Sequence, residues 1–229
     1  MIQAIRRDPS IIADINVESQ TKAKIPRNLD YPYLVSFCRL HKIRPLVTAT
    51  REPFKKYYEP GKCQSIDEGM VRYKGNHYAR QYTPCKPKKR GLKIWMRCEP
   101  NGYTHDYILY LGRYDEMQGQ SLGEKVVKHL CKDIKWKGHH VFFDRFFTSI
   151  PLVQSLETYG IYACGTIKTN RKGFPIELKN PKLERGDAQQ LQHGNMVLTV
   201  WNDNKPVHVL STTLNPLGDE PGFLESDNQ

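Results

Sequence analysis

The run Val141-Phe142-Phe143-Asp144 ends an apolar strand on an acid, and Ser149-Ile150-Pro151 opens a helix shortly after it. A strand that feeds so directly into a helix belongs in an α/β sheet, and an acid at its carboxyl end sits at the edge where such sheets bind ligands. Upstream, Ile66-Asp67-Glu68 sets a second carboxylate in another short strand. Two acids brought from separate strands to one edge can hold divalent metal, a pairing that points to phosphoryl-transfer chemistry on nucleic acid.

The elements around these acids are legible from pattern. Residues 1–30 lack periodicity and form a polar lead-in. From 31 to 60, apolar residues recur at helical spacing on either side of Pro45, which predicts two helices around a break. Strands are expected over 63–70, 92–98 and 106–111, the last two as a hairpin through Pro100-Asn101-Gly102. Ser121-x-x-Glu124 reads as a capping box ahead of the apolar stripe Leu122, Val126, Val127, Leu130 and Ile134. A strand over 140–144 follows, then a short helix capped by Ser149 and ended by Gly160, then a strand over 161–167. After Pro175, segments 195–201 and 206–212 predict a separate hairpin, and 218–229 is an acidic tail. Strand, strand, strand, helix, strand, helix, strand is the ribonuclease-H-like order. By analogy with that fold, the first and fourth strands are parallel neighbours, and Asp67 meets Asp144.

Charge narrows the partner. The chain of 229 residues carries a net charge of +11, and between Arg72 and Arg97 there are nine Lys or Arg and no Asp or Glu. Such a one-sign run repels itself unless a polyanion is near, and Tyr73, Tyr78, Tyr82 and Trp95 within it offer rings that could stack on bases. Nucleic acid is the natural partner, the alternative being a solvated basic face with its aromatics in the core. No apolar run approaches the roughly 18 residues of a membrane span, and the first residues lack the apolar core of a signal peptide, so a soluble, non-secreted protein is expected. Cys38, Cys63, Cys85, Cys98, Cys131 and Cys164 contain no C-x-x-C pair, which predicts reduced structural thiols rather than a zinc site. His139 and His140 face opposite sides of a strand and do not make a metal pair.

Four ordered blocks then carry a family resemblance. They are Ser65-Ile66-Asp67-Glu68-Gly69-Met70 with Lys74-Gly75, Lys89-Arg90-Gly91-Leu92-Lys93-Ile94, Asp144-x-Phe146-Phe147-Thr148-Ser149-x-Pro151-Leu152, and Gly165-Thr166-x-x-x-Asn170-Arg171-Lys172-Gly173. With the segment around Lys42-Ile43-Arg44-Pro45, the chain resembles the piggyBac transposases and the host proteins derived from them over about residues 31–215. The resemblance implies a DDE-type, ribonuclease-H-like mixed sheet flanked by helices over 61–174, with part of a β-rich insertion domain over 175–217. It implies cut-and-paste transposition at TTAA targets, by dimers acting on paired ends, with three aspartates and Mg²⁺ or Mn²⁺.

It places the first two aspartates at Asp67 and Asp144, as catalytic and metal-binding residues. The third comes, in the family, from a helix after the insertion, and Gln229 falls before that block. Arg145 also departs from the Asn that usually follows the second aspartate. The expectation is therefore a nuclear domain that binds double-stranded DNA through Arg72, Lys74, Arg80, Lys88, Lys89, Arg90, Lys168, Arg171 and Lys172 and has an incomplete catalytic set. Pro87-Lys88-Lys89-Arg90 has the composition of an import signal as well as of a phosphate contact. Two alternatives stay open: an active nuclease with Asp203, Asp219 or Glu220 as third acid, and a non-catalytic partner-binding remnant.

Overall fold

A computed structural model describes residues 43–77, 79–84, 86–111 and 121–213. Helix α1 (Arg44–Lys56) leads into strands β1 (Cys63–Arg72), β2 (Arg80–Tyr82), β3 (Arg90–Cys98) and β4 (Thr104–Leu109). Helix α2 (Leu122–Leu130), β5 (His140–Phe143), α3 (Ile150–Glu157) and β6 (Tyr162–Thr166) follow, and β7 (Ala188–His193), β8 (Met196–Asn202) and β9 (Pro206–Ser211) complete the fold. Pro45 lies in the first turn of α1, where its missing N–H costs nothing, so the second of the two expected helices starts at it. The other helix expected in 31–60 lies outside the described residues.

All nine strands join one mixed sheet in the order β2-β3-β1-β5-β6-β9-β8-β7, with β4 continuing the β3 edge beyond β2. β1, β5 and β6 are parallel neighbours, and the hairpin β8–β9 extends the same sheet through antiparallel pairing of β9 with β6. The hairpin expected to stand apart is thus hydrogen-bonded to the sheet. β2 and β7 were not expected, since both are short and polar; β7 forms because β8 offers it an open edge.

Two caps set the helix starts. Ser121 accepts from the Glu124 N–H at 3.3 Å and Ser149 from the Leu152 N–H at 3.3 Å. The Glu124 carboxylate does not close the box but accepts from the Ser149 hydroxyl at 2.6 Å, tying one helix start to the other. α2 packs on β3 and β4, α3 on β6, and α1 on β4. Val126, Val127 and Leu130 of α2 and Leu152, Val153 and Leu156 of α3 are buried in one core with Ile66, Trp95, Val141 and Phe143. Each such side chain contributes about 2 kcal/mol of burial. No helix among the described residues is long and apolar enough to cross a membrane.

Cys63, Cys98, Cys131 and Cys164 are free thiols, and burial pushes that of Cys131 up to about 12. The His139 Nδ1 lies 2.9 Å from the Gly61 carbonyl, while the His140 ring packs 5.0 Å from that of Tyr162.

Candidate metal and nucleic-acid site

Parallel pairing sets Cys63 opposite His140 and Ile66 opposite Phe143, so Asp67 and Asp144 occupy the next matched position. Ile66 and Phe143 point into the core, and the acids that follow them are exposed. Both line one cleft of about 390 Å³, with Glu68, Lys86, Trp95, Arg145, Phe146, Phe147 and Lys168. The sheet therefore brings together the two predicted acids, which lie far apart in the chain.

The loop carrying Asp144 is fixed from several directions. Its Oδ1 accepts from the Phe146 N–H at 2.9 Å, and its carbonyl accepts from the N–H groups of Phe147 and Thr148 and from the Thr148 hydroxyl at 2.8 Å. Two glycines permit this packing. A Cβ at Gly165 would sit 2.4 Å from the Phe143 carbonyl and 2.6 Å from the Thr148 hydroxyl, and one at Gly123 would sit 3.0 Å from the Phe146 carbonyl. Asp67 is held more simply, its Oδ1 accepting from the Glu68 N–H at 2.7 Å.

Glu68, the next residue of β1, lines the same cleft but is ion-paired with Lys93 and, at 3.5 Å, with Lys86. Partial burial pushes its carboxyl up, but the hydrogen bond and charge of Lys93, with Lys86 adding, hold it below the usual glutamate range. The Lys93 ammonium lies 4.1 Å from the centre of the Trp95 ring, which stacks on Phe146 with centroids 5.3 Å apart. Trp95 is 2% exposed, so it floors the cleft and cannot stack on a base, contrary to the sequence expectation. Tyr73 and Tyr82 are exposed; Tyr78 lies outside the described residues.

Two carboxylates beside a solvent-open cleft suit Mg²⁺ or Mn²⁺, which takes one or two carboxylates and completes its shell with water or phosphate oxygens. Among the described residues no three His, Cys, Asp or Glu are grouped to hold an ion together. Asp203, a suggested third acid, pairs instead with Arg185 at 3.2 Å in the β8–β9 turn, and Asp219 and Glu220 lie outside the described residues.

The cations predicted for DNA gather along the same edge. Lys168, Arg171 and Lys172 follow the carboxyl end of β6; Arg72 ends β1 and Lys74 follows it. β3 is antiparallel to β1, with Arg72 opposite Gly91, so Lys88, Lys89 and Arg90 reach this edge from the other direction, and Arg80 pairs there with Leu92. Arg72 lies five positions beyond Asp67, about 17 Å along the strand. Arg72, Lys74, Lys88, Lys89, Arg90, Lys168 and Lys172 are exposed, Arg90 lying 5.4 Å from the Tyr82 ring. Arg80 is half-buried and donates to the Gly75 carbonyl at 3.1 Å. Arg171 is also half-buried and donates to the carbonyls of Arg145 and Phe146 at 3.0 and 2.6 Å. Sequence reasoning missed Lys86 as a cleft residue, although it belongs to the basic run, and missed the loop-holding roles of Gly123 and Thr148.

Comparison with known proteins identifies the family. A family model described as Transposase IS4 matches residues 35–225. The chain is 29% identical to human PiggyBac transposable element-derived protein 2 over 198 residues, which is 82% of this chain and 33% of that protein. It is 30% identical to human PiggyBac transposable element-derived protein 3 over 185 residues, 76% of this chain and 31% of that protein. It therefore spans about a third of the length of these curated relatives. The cryo-EM structure of a piggyBac transposase synaptic complex with hairpin DNA superposes with a TM-score of 0.74 at 30% identity, over 82% of this chain and 41% of that one. A ribonuclease-H-like sheet that pairs β1 with β5, the sequence blocks around its two acids and these matches lead to one conclusion: the chain belongs to the piggyBac family of DDE transposases.

Proposed function

We propose that this chain is a transposase-derived domain that binds double-stranded DNA along the carboxyl edge of its sheet, with the phosphate backbone running from the Asp67–Asp144 cleft toward Arg72 and Arg90. The observation that carries the reading is that the exposed cations Lys168 and Lys172 follow the strand next to that of Asp144, and the exposed Arg72, Lys74, Lys88, Lys89 and Arg90 lie along the continuation of β1 and β3 beyond Asp67. The DNA in the similar piggyBac complex supports it. Exposed lysines and arginines spaced along about 17 Å suit successive phosphates, whose neutralisation releases counterions.

Asp67 and Asp144 are the residues that would hold Mg²⁺ or Mn²⁺. The ion, when bound, supplies Lewis-acid stabilisation of charge on a phosphoryl oxygen. Lys168 and Lys86 draw a phosphate into the cleft, Trp95 and Phe146 give it a fixed apolar floor, and the hydrogen-bonded turn after Asp144 fixes the acid's position. With Glu68 held by Lys93 and Lys86 and no three ligands grouped among the described residues, binding is the activity proposed, and cleavage at TTAA sites is the finer reading that the matched acids favour. The same reading locates the chain in the nucleus, with the exposed Lys88-Lys89-Arg90 serving import as well as DNA contact.

The test is duplex-DNA affinity as a function of salt. Affinity should fall steeply, with a log–log slope of about −0.9 per phosphate contact, and Lys89→Gln or Arg90→Gln should each reduce that slope by about one. Flat or absent binding by a folded chain would overturn the reading. Nicking of TTAA-flanked duplex by the wild type, lost in both Asp67→Ala and Asp144→Ala, would extend it to catalysis.

A further inference from the structure

The geometry assigns Arg171 to positioning the Asp144 loop rather than to contacting DNA. The hydrogen-bonded turn Lys168–Arg171, closed by the Arg171 N–H on the Lys168 carbonyl at 3.1 Å, follows β6 and turns the side chain back toward β5. Its Nη2 donates to two consecutive carbonyls, Arg145 at 3.0 Å and Phe146 at 2.6 Å. Its Nε is buried and finds no acceptor among the described residues, so the guanidinium is inserted against the loop, whereas Lys168 and Lys172 on the same turn are exposed.

These two carbonyls belong to the residues directly after Asp144, and the Phe146 N–H is the group that fixes the Asp144 carboxylate. A donor that holds both carbonyls fixes the peptide unit that carries that N–H, through the Arg145 carbonyl, and the peptide unit after it, through the Phe146 carbonyl. Arg171 thus links a basic turn to an acid on the neighbouring strand. A phosphate drawn by Lys168 would then meet Asp144 at a set distance. This deepens the DNA-binding and metal-site reading above and rests on it for its use, though the positioning role itself needs neither DNA nor metal.

Arg171→Met keeps the apolar stem and removes the donors. Amide hydrogen exchange of Phe146, Phe147 and Thr148 should accelerate at least tenfold in this variant, with the amides of Val153 and Leu156 in α3 unchanged as a check on folding. The salt slope for duplex DNA should stay at its wild-type value. Unchanged exchange at 146–148 together with a slope reduced by about 0.9 would make Arg171 a phosphate contact and overturn the proposal. Unchanged exchange with an unchanged slope would overturn it as well. If the wild-type chain failed to bind DNA, the functional reading would fall while the exchange result still decided the role of Arg171. If Arg171→Met also accelerated exchange in α3, Arg171→Gln would be measured in its place, with the same exchange outcomes deciding.

Discussion

Two groups of acids and cations lie within this fold, and they treat charge in opposite ways. At the α1–β4 junction, Asp106 is 1% exposed and is closed by Arg51 and, at 2.9 Å, by Lys55. In the cleft, Asp67 and Asp144 share space with Lys86, Arg145 and Lys168, yet among the described residues neither acid forms an ion pair. Each accepts a backbone N–H through one oxygen and lines the cleft. Compensated acids hold elements together; uncompensated ones, gathered by strand register, stay open to solvent. The same composition supports either use, and position alone separates them.

The sharpest way to break this comparison is to remove one acid from each group. Asp106→Ala leaves Arg51 and Lys55 facing each other without a counter-charge and should cost about 3 kcal/mol, at the low end for a broken buried pair because both cations are partly exposed. Asp67→Asn and Asp144→Asn should each stay within about 0.5 kcal/mol of wild type, since an exposed acid without a partner gives up little. Urea midpoints at unchanged m-value would measure this. A large loss in the cleft variants would mean that their acids are structural.

Acid titration of stability should separate the groups again. Burial pushes the Asp106 carboxyl up, but hydrogen bonds and charge from Arg51 and Lys55 hold it below the usual aspartate range. Glu68 and Glu99 are likewise lowered in the fold. A lowered folded-state value contributes stability that is present above the unfolded value and lost as pH falls through the folded one. Stability should therefore decline below about pH 4, and Asp106→Asn should show a shallower decline from its lower starting point. An equal acid slope in that variant would show that Asp106 is not the sensing group.

How much of this was legible follows from what each residue reports locally. The strand of Asp144 announces itself because it is an apolar run closed by an acid, whereas Asp67 sits in the middle of the mixed strand Cys63–Arg72 and was legible through the block around it; the parallel register of β1 and β5 then follows from the fold order. The run from Arg72 to Arg97 was harder, since it mixes two environments. Side chains on a strand alternate, so Lys93, Trp95 and Arg97 share a face, and that face is inside: Arg97 is fully buried against Gln64 and Asp133. Reading Trp95 as a base-stacking ring treated the run as a surface. The unbroken apolar run Ile94-Trp95-Met96 was the signal for a core strand, and the structure pairs that strand on both sides. Arg171 could not have been separated from Lys168 and Lys172 by sequence, because only the return of the turn toward β5 gives it the two carbonyls. β7, almost wholly polar, exists through its pairing with β8 and carries no local pattern of its own.

Metal sharpens the comparison at smaller amplitude. Mn²⁺ at about ten times its dissociation constant should stabilise the wild-type chain by about 1.4 kcal/mol, the mass-action value for a ligand bound only by the folded state. Asp67→Asn and Asp144→Asn should abolish that gain, and Asp106→Asn should keep it in full despite its lower baseline. A gain that survives both cleft substitutions would put the ion elsewhere.

Arg145 gives the smallest and most specific effect. It follows Asp144 directly, is exposed and lines the cleft, so its charge opposes a divalent cation without blocking the carboxylates. Two charges against one, about 8 Å apart in a solvent-open site, amount to roughly 1 kcal/mol unscreened and about 0.7 kcal/mol, or about threefold in affinity, with residual salt screening. Arg145→Asn should therefore tighten Mn²⁺ binding about threefold at low ionic strength, with the gain shrinking as salt screens the cleft. Its backbone carbonyl still receives Arg171, so exchange at Phe146–Thr148 should not change. A change in affinity that ignores salt would mean that the side chain acts through the loop's geometry rather than through its charge, and the contrast between held and open acids would then rest on shape.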